Sequence, residues 1–591
     1  MRKRLCLLPV RAAVGRGHGR RQVACTTDML RALFAAVALA LPIAAHPAAA
    51  AEPILPLAEV QAGMRCTGHT VVRGAEIAAF DVEIVDVVPG DRVDEQPLLL
   101  VRVSGPVVEE TGIAEGFSGA PVVCDGRIAG AIAYGTGDYG NQLGFATPIE
   151  AMLGMPAVLP GKVRGAPELR RRARPLRAPL SVSGLSPAVA DLFTRAAAKA
   201  GLTLTAVPAA PVGERFPAQD PRPGASLAVG LSSGDVAVGA VGTTTYVDGT
   251  SVWGFGHQLD GVGRRSLLLQ DAWVYAVVDN PLGVDGAISH KIAAPGHVLG
   301  TITNDTRAGV AGVLGEVAPQ IPLRITTRDV DTGLRRSVTA QVADETAVGL
   351  PSGVSPVTLV APMALAQAAH AALDGSPAHQ SARMCVRIGL RELARPARFC
   401  NRYVGAYGAD AEGGAGGPFV TDLADALLAL DDFGFGTPHV TSVDVALDVE
   451  RGMRLALLRS VRGPDVLRRG TTAKLRLELQ HYRGSRFTRT VGLRVPRDAR
   501  RGPQRVAVQG TAPDGGFEDE LVVELVDSLD GKADGRDAAP KSFAQLARRI
   551  AGIHRFDGVR VQVGRKARPR ALLTDPELRI GGQASYRARV R

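Results

Sequence analysis

Aromatic residues are scarce: Phe, Tyr and Trp together make up 4% of the 591 residues, and two of them are Trp. Apolar residues nevertheless reach 46% against 21% charged, so the chain can bury real cores and is not a disordered one. Long apolar runs are missing after residue 51: no later segment holds the roughly 18 uninterrupted apolar residues of a membrane helix. Cysteines are few, with no Cys-x-x-Cys pair, and their spacings do not suit a zinc site. Net positive charge is also small once the N-terminus is set aside. The total is 69 − 58 = +11, but residues 1–51 hold eight Lys/Arg and one acid, a net of +7. The remaining +4 is too little to argue for nucleic-acid binding. What the chain has in quantity is Gly (69) and Pro (39), which points to turns and short strands rather than long helices. Its length allows about three to five domains.

The N-terminus reads as an export signal. Arg31 precedes an apolar run from Leu33 to Ala45, which ends in His46-Pro47-Ala48-Ala49-Ala50-Ala51. A basic start, a short hydrophobic core and a small-residue site make a secretory signal peptide over residues 1–51, with cleavage expected near Ala51 or Glu52. The alternative is an uncleaved anchor. Met29 is placed better than Met1 to start such a leader, which would make residues 1–28 an extension ahead of it. Cys6 and Cys25 precede the cleavage point. Cys66, Cys124, Cys385 and Cys400 remain, an even number in an oxidising compartment, and so suggest two disulfides. Four buried thiols are the alternative.

Strand signals dominate the rest. Phe80–Val88 alternates, Pro97–Val103 is a short buried-type strand, and Val122–Ile132 reads as a hairpin turning at Asp125-Gly126. These place a strand-rich unit at 52–160. A basic connector follows at 161–180; without interleaved aromatics it reads as a solvated run. A second strand-rich unit covers 181–320, with strands around Asp248-Gly249. Residues 321–435 mix strands with helices expected near Pro362–Leu373 and Leu423–Leu430. Strictly alternating strands such as Val443–Val449 and Leu475–Leu479 suggest a β-sandwich at 436–530. A polar break at Gly531–Asp537, an amphipathic helix at Ser542–His554 and a basic tail fill 531–591.

The sharpest chemical feature is Gly116-Phe117-Ser118-Gly119-Ala120-Pro121. A Gly-x-Ser-Gly turn holds a hydroxyl out of a tight backbone, and the N–H groups of Gly116 and Ser118 can aim at one point as an oxyanion hole. The strand-to-helix elbow G-x-S-x-G does not apply, because position 120 is Ala and strands follow. An ordinary Gly-Ser turn is the bland reading. A serine nucleophile needs a base. His257, in Trp253-Gly254-Phe255-Gly256-His257, ends a strand among glycines that let backbone approach closely. His69, His290 and His297 lie elsewhere, and any lone histidine can be purely structural.

These residues resemble the SpoIVB sporulation peptidase family. Gly116–Pro121 is similar to its usual Gly-Met-Ser-Gly-Ser-Pro, with Gly63-Met64, Thr70-Val71, Gly74, Phe80-Asp81-Val82-Glu83 and Thr111-Gly112 before it. Gly242-Thr243 through Tyr246, Gly254–His257, and Gly300-Thr301-Ile302 through Gly309 and Gly312 resemble the half that carries the family's histidine. The likeness covers about residues 54–315, with a looser one to the β-rich tails of exported relatives. It implies a mainly β fold: a chymotrypsin-like double β-barrel, then a β-sandwich-rich C-terminal region with short helices. It also implies an exported serine endopeptidase acting on protein or peptide through Ser118 and His257, without metal or cofactor. Such a protein is secreted, periplasmic or associated with the cell envelope. An amidase or esterase using the same pair is a further reading.

The order of the halves is permuted relative to the family, with the serine half first and no room for a preceding PDZ domain. Geometry rather than chain order defines a triad. Gly105-Pro106 stands where the family has Asp-Pro, and Ala133 where it has Thr. A Ser–His dyad, or an acid from Asp81, Asp260 or Asp305, must then orient the imidazole, since loss of the triad Asp alone costs about 10⁴ in rate. The rival reading is a weak or inactive envelope-binding protein that keeps the fold. The expected pairings are Cys66–Cys124 within the serine half and Cys385–Cys400 across a hairpin. The double-barrel reading requires Ser118 and His257 to meet in one cleft, with a ring nitrogen about 2.6–3.2 Å from the hydroxyl, or looser without substrate.

Overall fold

The computed structural model describes residues 51–591 except 91–94, 138, 161–169, 171–172, 177–179, 200–203, 208–215, 281–288, 351–352, 374–378, 407–417, 512–538, 554–557, 565–568 and 576. The signal-peptide segment, the Gly531–Asp537 break and most of the basic connector lie outside the described residues.

Alternation drives the first sheet. Strand β1 (Arg65–Arg73) pairs antiparallel with β2 (Glu76–Val88), along which Phe80, Val82 and Ile84 are buried while Asp81 and Glu83 face water. β3 (Leu98–Ser104), β4 (Pro121–Cys124), β5 (Arg127–Gly135) and β6 (Leu143–Pro148) complete it, followed by the short helix α1 (Ile149–Met152). The strand order is β4-β1-β2-β3-β6-β5, and β4 also pairs with β5, so six strands close into a barrel. Asp125 (φ 49°) and Gly126 (φ 72°) form the two-residue turn between β4 and β5, as two left-handed residues in a hairpin turn require. The barrel is filled by Phe80, Ile84, Val101, Phe117 and Ile132 among others. Cys66 and Cys124 face each other across β1 and β4 and form a disulfide, with Cα atoms 4.3 Å apart.

After β7 (Arg174–Pro175), which extends the first sheet, β8 (Leu180–Ser183), helix α2 (Pro187–Lys199) and β9 (Leu204–Ala206) lead into the second barrel. Its strands are β10 (Ser226–Gly230), β12 (Ala237–Asp248), β13 (Ser251–Gly254), β14 (Gly263–Val278), β15 (His290–Thr306) and β16 (Gly309–Leu314), with β11 (Ser232–Gly234) leaving to join the next sheet. The order β10-β14-β15-β16-β13-β12 closes through β10–β12. The chain therefore carries two six-stranded antiparallel barrels in succession, the architecture expected from the motifs.

A six-stranded sheet follows, ordered β11-β18-β17-β21-β19-β20. It comprises β17 (Gln320–Asp329), β18 (Arg335–Ala343), β19 (His379–Leu390), β20 (Ala397–Ala406) and β21 (Val440–Arg451), with helices α3 (Pro356–Ala372) and α4 (Pro418–Asp431) sharing its core. Helix α3 starts a turn and a half before the expected Pro362, because Pro356 already occupies its first turn. The strand around Val443–Val449 belongs to this sheet, parallel to β17, and not to the sandwich. Alternation showed that it has one buried face but not which partner it has. Cys385 and Cys400 are direct cross-strand partners on β19 and β20 and are bonded, with Cα atoms 4.1 Å apart.

The remaining strands form two facing sheets around one aliphatic core that includes Leu475, Leu477, Leu479, Val506 and Val508. These are β22 (Leu455–Arg462), β23 (Val466–Leu467), β24 (Thr472–His481), β25 (Arg486–Arg494) and β26 (Gly502–Gly510). Helix α5 (Phe543–Ala551), capped by Ser542, precedes β27 (Gly558–Val563), β28 (Arg570–Thr574), β29 (Arg579–Gly581) and β30 (Gln583–Val590). The basic tail is thus part of the sandwich. Its arginines alternate with buried residues such as Val559, Val561, Ala588 and Val590.

Candidate active site

Two of three consecutive threonines on β12, Thr243 and Thr245, grip the turn that carries Ser118. The Thr243 hydroxyl donates to Gly116 O (3.1 Å), the Thr243 N–H to Ser118 O (2.8 Å), and the Thr245 hydroxyl to Gly119 O (2.7 Å). The serine turn of the first barrel is therefore docked on the second. Gly119 makes the contact possible. With φ at 93°, a Cβ there would lie 1.9 Å from Thr243 O and 2.5 Å from Phe255 N, distances no side chain tolerates.

The histidine segment is built under strain. Phe255 (φ 69°) and Gly256 (φ 68°) are consecutive left-handed residues, a costly conformation for a bulky side chain, of the kind concentrated at functional sites. Burial of the Phe255 ring and the 2.6 Å hydrogen bond from the Thr147 hydroxyl to Gly256 O hold it. A Cβ on Gly256 would sit 3.1 Å from the Ala133 Cβ and 3.2 Å from the Ala131 Cβ. The alanine that departs from the family's threonine therefore faces the histidine segment directly.

Ser118 is fully buried and His257 is 2% exposed. Among the described residues, the Ser118 hydroxyl and His257 Nε2 are both buried without a hydrogen-bond partner, a rare and costly condition that calls for an explanation. The structure thus brings the segments of the two residues together but does not join the two atoms by the expected hydrogen bond. His257 Nδ1 lies 2.7 Å from Gln258 O. A carbonyl can only accept, so Nδ1 carries the proton and Nε2 is left as the lone-pair nitrogen. Burial pulls the histidine down to about 4, partly opposed by the Gln258 carbonyl and by the charge of Asp305, so the ring is neutral at pH 7.

The carboxylates considered from sequence lie around this site in different ways. Asp305 accepts the N–H groups of Leu259, Asp260 and Gly261 at 2.7–2.8 Å and fastens the loop after His257. Asp260 pairs with Arg265 (2.8 Å). Asp81 is exposed on β2, beside Gly105. The nitrogen an acid would occupy is bonded to Gln258 O. Among the other histidines, His69 lies on β1 opposite Ala79, His290 starts β15, and His297 bonds to Asp271 (3.0 Å).

Peptide planarity orients the two N–H groups of the turn. Glu115 O accepts the Lys291 N–H (3.0 Å), so the N–H of the same peptide, that of Gly116, points the other way. Phe117 O accepts the Ala120 N–H (2.8 Å), which turns the Ser118 N–H outward in the same manner. Among the described residues neither N–H has a partner. Two unengaged donors on the turn that carries a serine are the geometry an oxyanion hole requires.

Residues 44–153 match the SpoIVB peptidase S55 family. The match covers the first barrel with its Gly-Phe-Ser-Gly turn and stops before the barrel that holds His257. No curated protein and no solved structure matches the chain. Sequence reading missed the carbonyl-gripping role of Thr243 and Thr245 and the burial of Lys291, all on the second barrel and outside the matched residues. The signals were a run of three threonines in an apolar strand and a lone lysine before Ile292-Ala293-Ala294.

Proposed function

We propose that the chain is an exported serine endopeptidase of the SpoIVB type, with Ser118 as nucleophile and His257 as base and then acid. The observation that carries the reading is the pair of buried, unpartnered polar atoms, Ser118 Oγ and His257 Nε2, on segments packed backbone to backbone. His257 Nε2 takes the hydroxyl proton as Oγ bonds to the scissile carbonyl carbon. The carbonyl oxygen becomes an oxyanion that accepts from the Gly116 and Ser118 N–H groups. The imidazolium then gives its proton to the leaving amine as the C–N bond breaks, and water repeats the sequence to release the acid. Gln258 O holds the imidazole in the tautomer this needs, the role a carboxylate fills in a triad. Two disulfides and the leader sequence support export to an oxidising compartment.

A second reading, a binding protein that has lost turnover, is favoured by the neutral Gln258 O at Nδ1 and by the full burial of Ser118. A fluorophosphonate serine probe separates the two. Labelling of the mature wild type and not of Ser118→Ala supports the peptidase. A folded wild type that does not label supports the binding protein.

A further inference from the structure

A buried amine lies beneath the serine turn. Lys291 on β15 is 2% exposed, and among the described residues no carboxylate pairs with it. Its Nζ donates to the Thr70 hydroxyl (2.8 Å) and the Thr243 hydroxyl (3.4 Å), and lies 5.2 Å from the centre of the Phe117 ring. Its stem packs on Gly116, where a Cβ would meet Lys291 carbons at 3.0–3.1 Å. Desolvation alone draws its pKa down to about 7. A methionine would fill the same space without burying a cation, so packing does not account for the amine.

The hydrogen-bond directions do. A lysine ammonium donates and never accepts. In the structure the single Thr243 proton goes to Gly116 O, and the Lys291 proton on the Thr70 oxygen competes with it for that acceptor. Without that donor, Thr243 can instead turn its proton to the Thr70 oxygen 3.1 Å away, and Gly116 O loses its anchor. The Gly116–Phe117 peptide, which links the two donor peptides, is then held at one end only, by its Phe117 N–H to Ala114 O (3.0 Å), and the turn loosens about it.

Resting on the reading of Ser118 as nucleophile, we propose that Lys291 is a positioning residue. Acting through Thr243, it orders the Gly116–Gly119 turn and keeps the oxyanion-hole peptides in their working orientation. It touches no reacting atom, since its bonds go to the threonines and not to Ser118.

The test uses the full mature chain with Lys291→Met and Thr243→Val, singly and combined. Two readouts are taken: fluorophosphonate labelling, resolved into probe affinity and maximal rate, and amide hydrogen exchange of the segment 114–120. Lys291→Met should leave the melting temperature unchanged or raised, slow the maximal labelling rate by about 10² with probe affinity unchanged, as for loss of one oxyanion donor, and speed exchange in 114–120. Thr243→Val should do the same to rate and exchange, and the double variant should be no slower than the slower single one. Wild-type rate and exchange in a folded Lys291→Met overturn the proposal. So does a lowered melting temperature with unchanged rate, which marks a merely structural lysine. If Lys291→Met does not fold, unchanged rate and exchange in Thr243→Val overturn it equally. A wild type that does not label defeats the reading of Ser118, while the exchange comparison still decides whether Lys291 orders the turn.

Discussion

Protonation of His257 should destabilise the protein, and the size of the effect follows from its burial. In the unfolded chain the ring titrates near 6.5; in the folded chain it titrates near 4. Between those values the unfolded state binds a proton that the folded state refuses, so stability falls as pH drops from 6.5 to 4 and flattens below. That difference corresponds to about 3 kcal/mol. Other titrating groups contribute over the same range, so the informative quantity is a difference. Urea unfolding at pH 7 and pH 4 should show wild type losing about 3 kcal/mol more than His257→Gln, which keeps similar bulk and has no titrating ring. The labelling rate of Ser118 should likewise hold through pH 5 and fall only near pH 4, where the free enzyme's base is lost. Parallel stability curves for the two proteins, or an acid limb near pH 6.5, would refute the claim that the base is buried and neutral.

Gly119→Ala places a methyl group 1.9 Å from Thr243 O at a φ of 93°; overpacking and left-handed strain together should cost at least about 3 kcal/mol in denaturant unfolding and abolish labelling. Ser118→Ala removes a buried hydroxyl with no partner, so its unfolding free energy should equal or exceed that of wild type while labelling disappears. Breaking Cys66–Cys124, whose residues are 58 apart in sequence, with a double alanine variant should cost about 4 kcal/mol by the chain-entropy estimate, against about 3 kcal/mol for Cys385–Cys400, and comparative thermal unfolding checks the order.

Local signals made much of the fold legible. Asp125-Gly126 announced its hairpin, the alternation of Phe80–Val88 announced its strand, and the four cysteines pair as their strands suggested. Alternation states that a strand has one wet face but not its neighbour, which is why Val443–Val449 sits parallel to β17 within another sheet. Net charge concealed the tail: the arginines of β27 and β30 occupy the wet faces of strands whose other faces fill the sandwich core, while Arg579 on β29 is buried. At the site, Ser118 and His257 stood out by motif and glycine context. The bonds that build their surroundings run from 116 to 243, from 119 to 245 and from 70 to 291. No periodicity links positions so far apart, so Thr243, Thr245 and Lys291 became visible only when the barrels were placed together. Gln258 O at Nδ1 was equally hidden, because any residue type supplies a backbone carbonyl.

The central claim is that one turn and one histidine, brought from two barrels, form an acyl-transfer site. A crystal structure of the mature protein after reaction with a small phosphonate ester tests it most directly. The account predicts phosphorus bonded to Ser118 Oγ, the phosphoryl oxygen within hydrogen-bond distance of the Gly116 and Ser118 N–H groups, and His257 Nε2 turned toward the adduct with Nδ1 still on Gln258 O. An adduct on another residue, or one on Ser118 whose phosphoryl oxygen points away from both N–H groups, would contradict it.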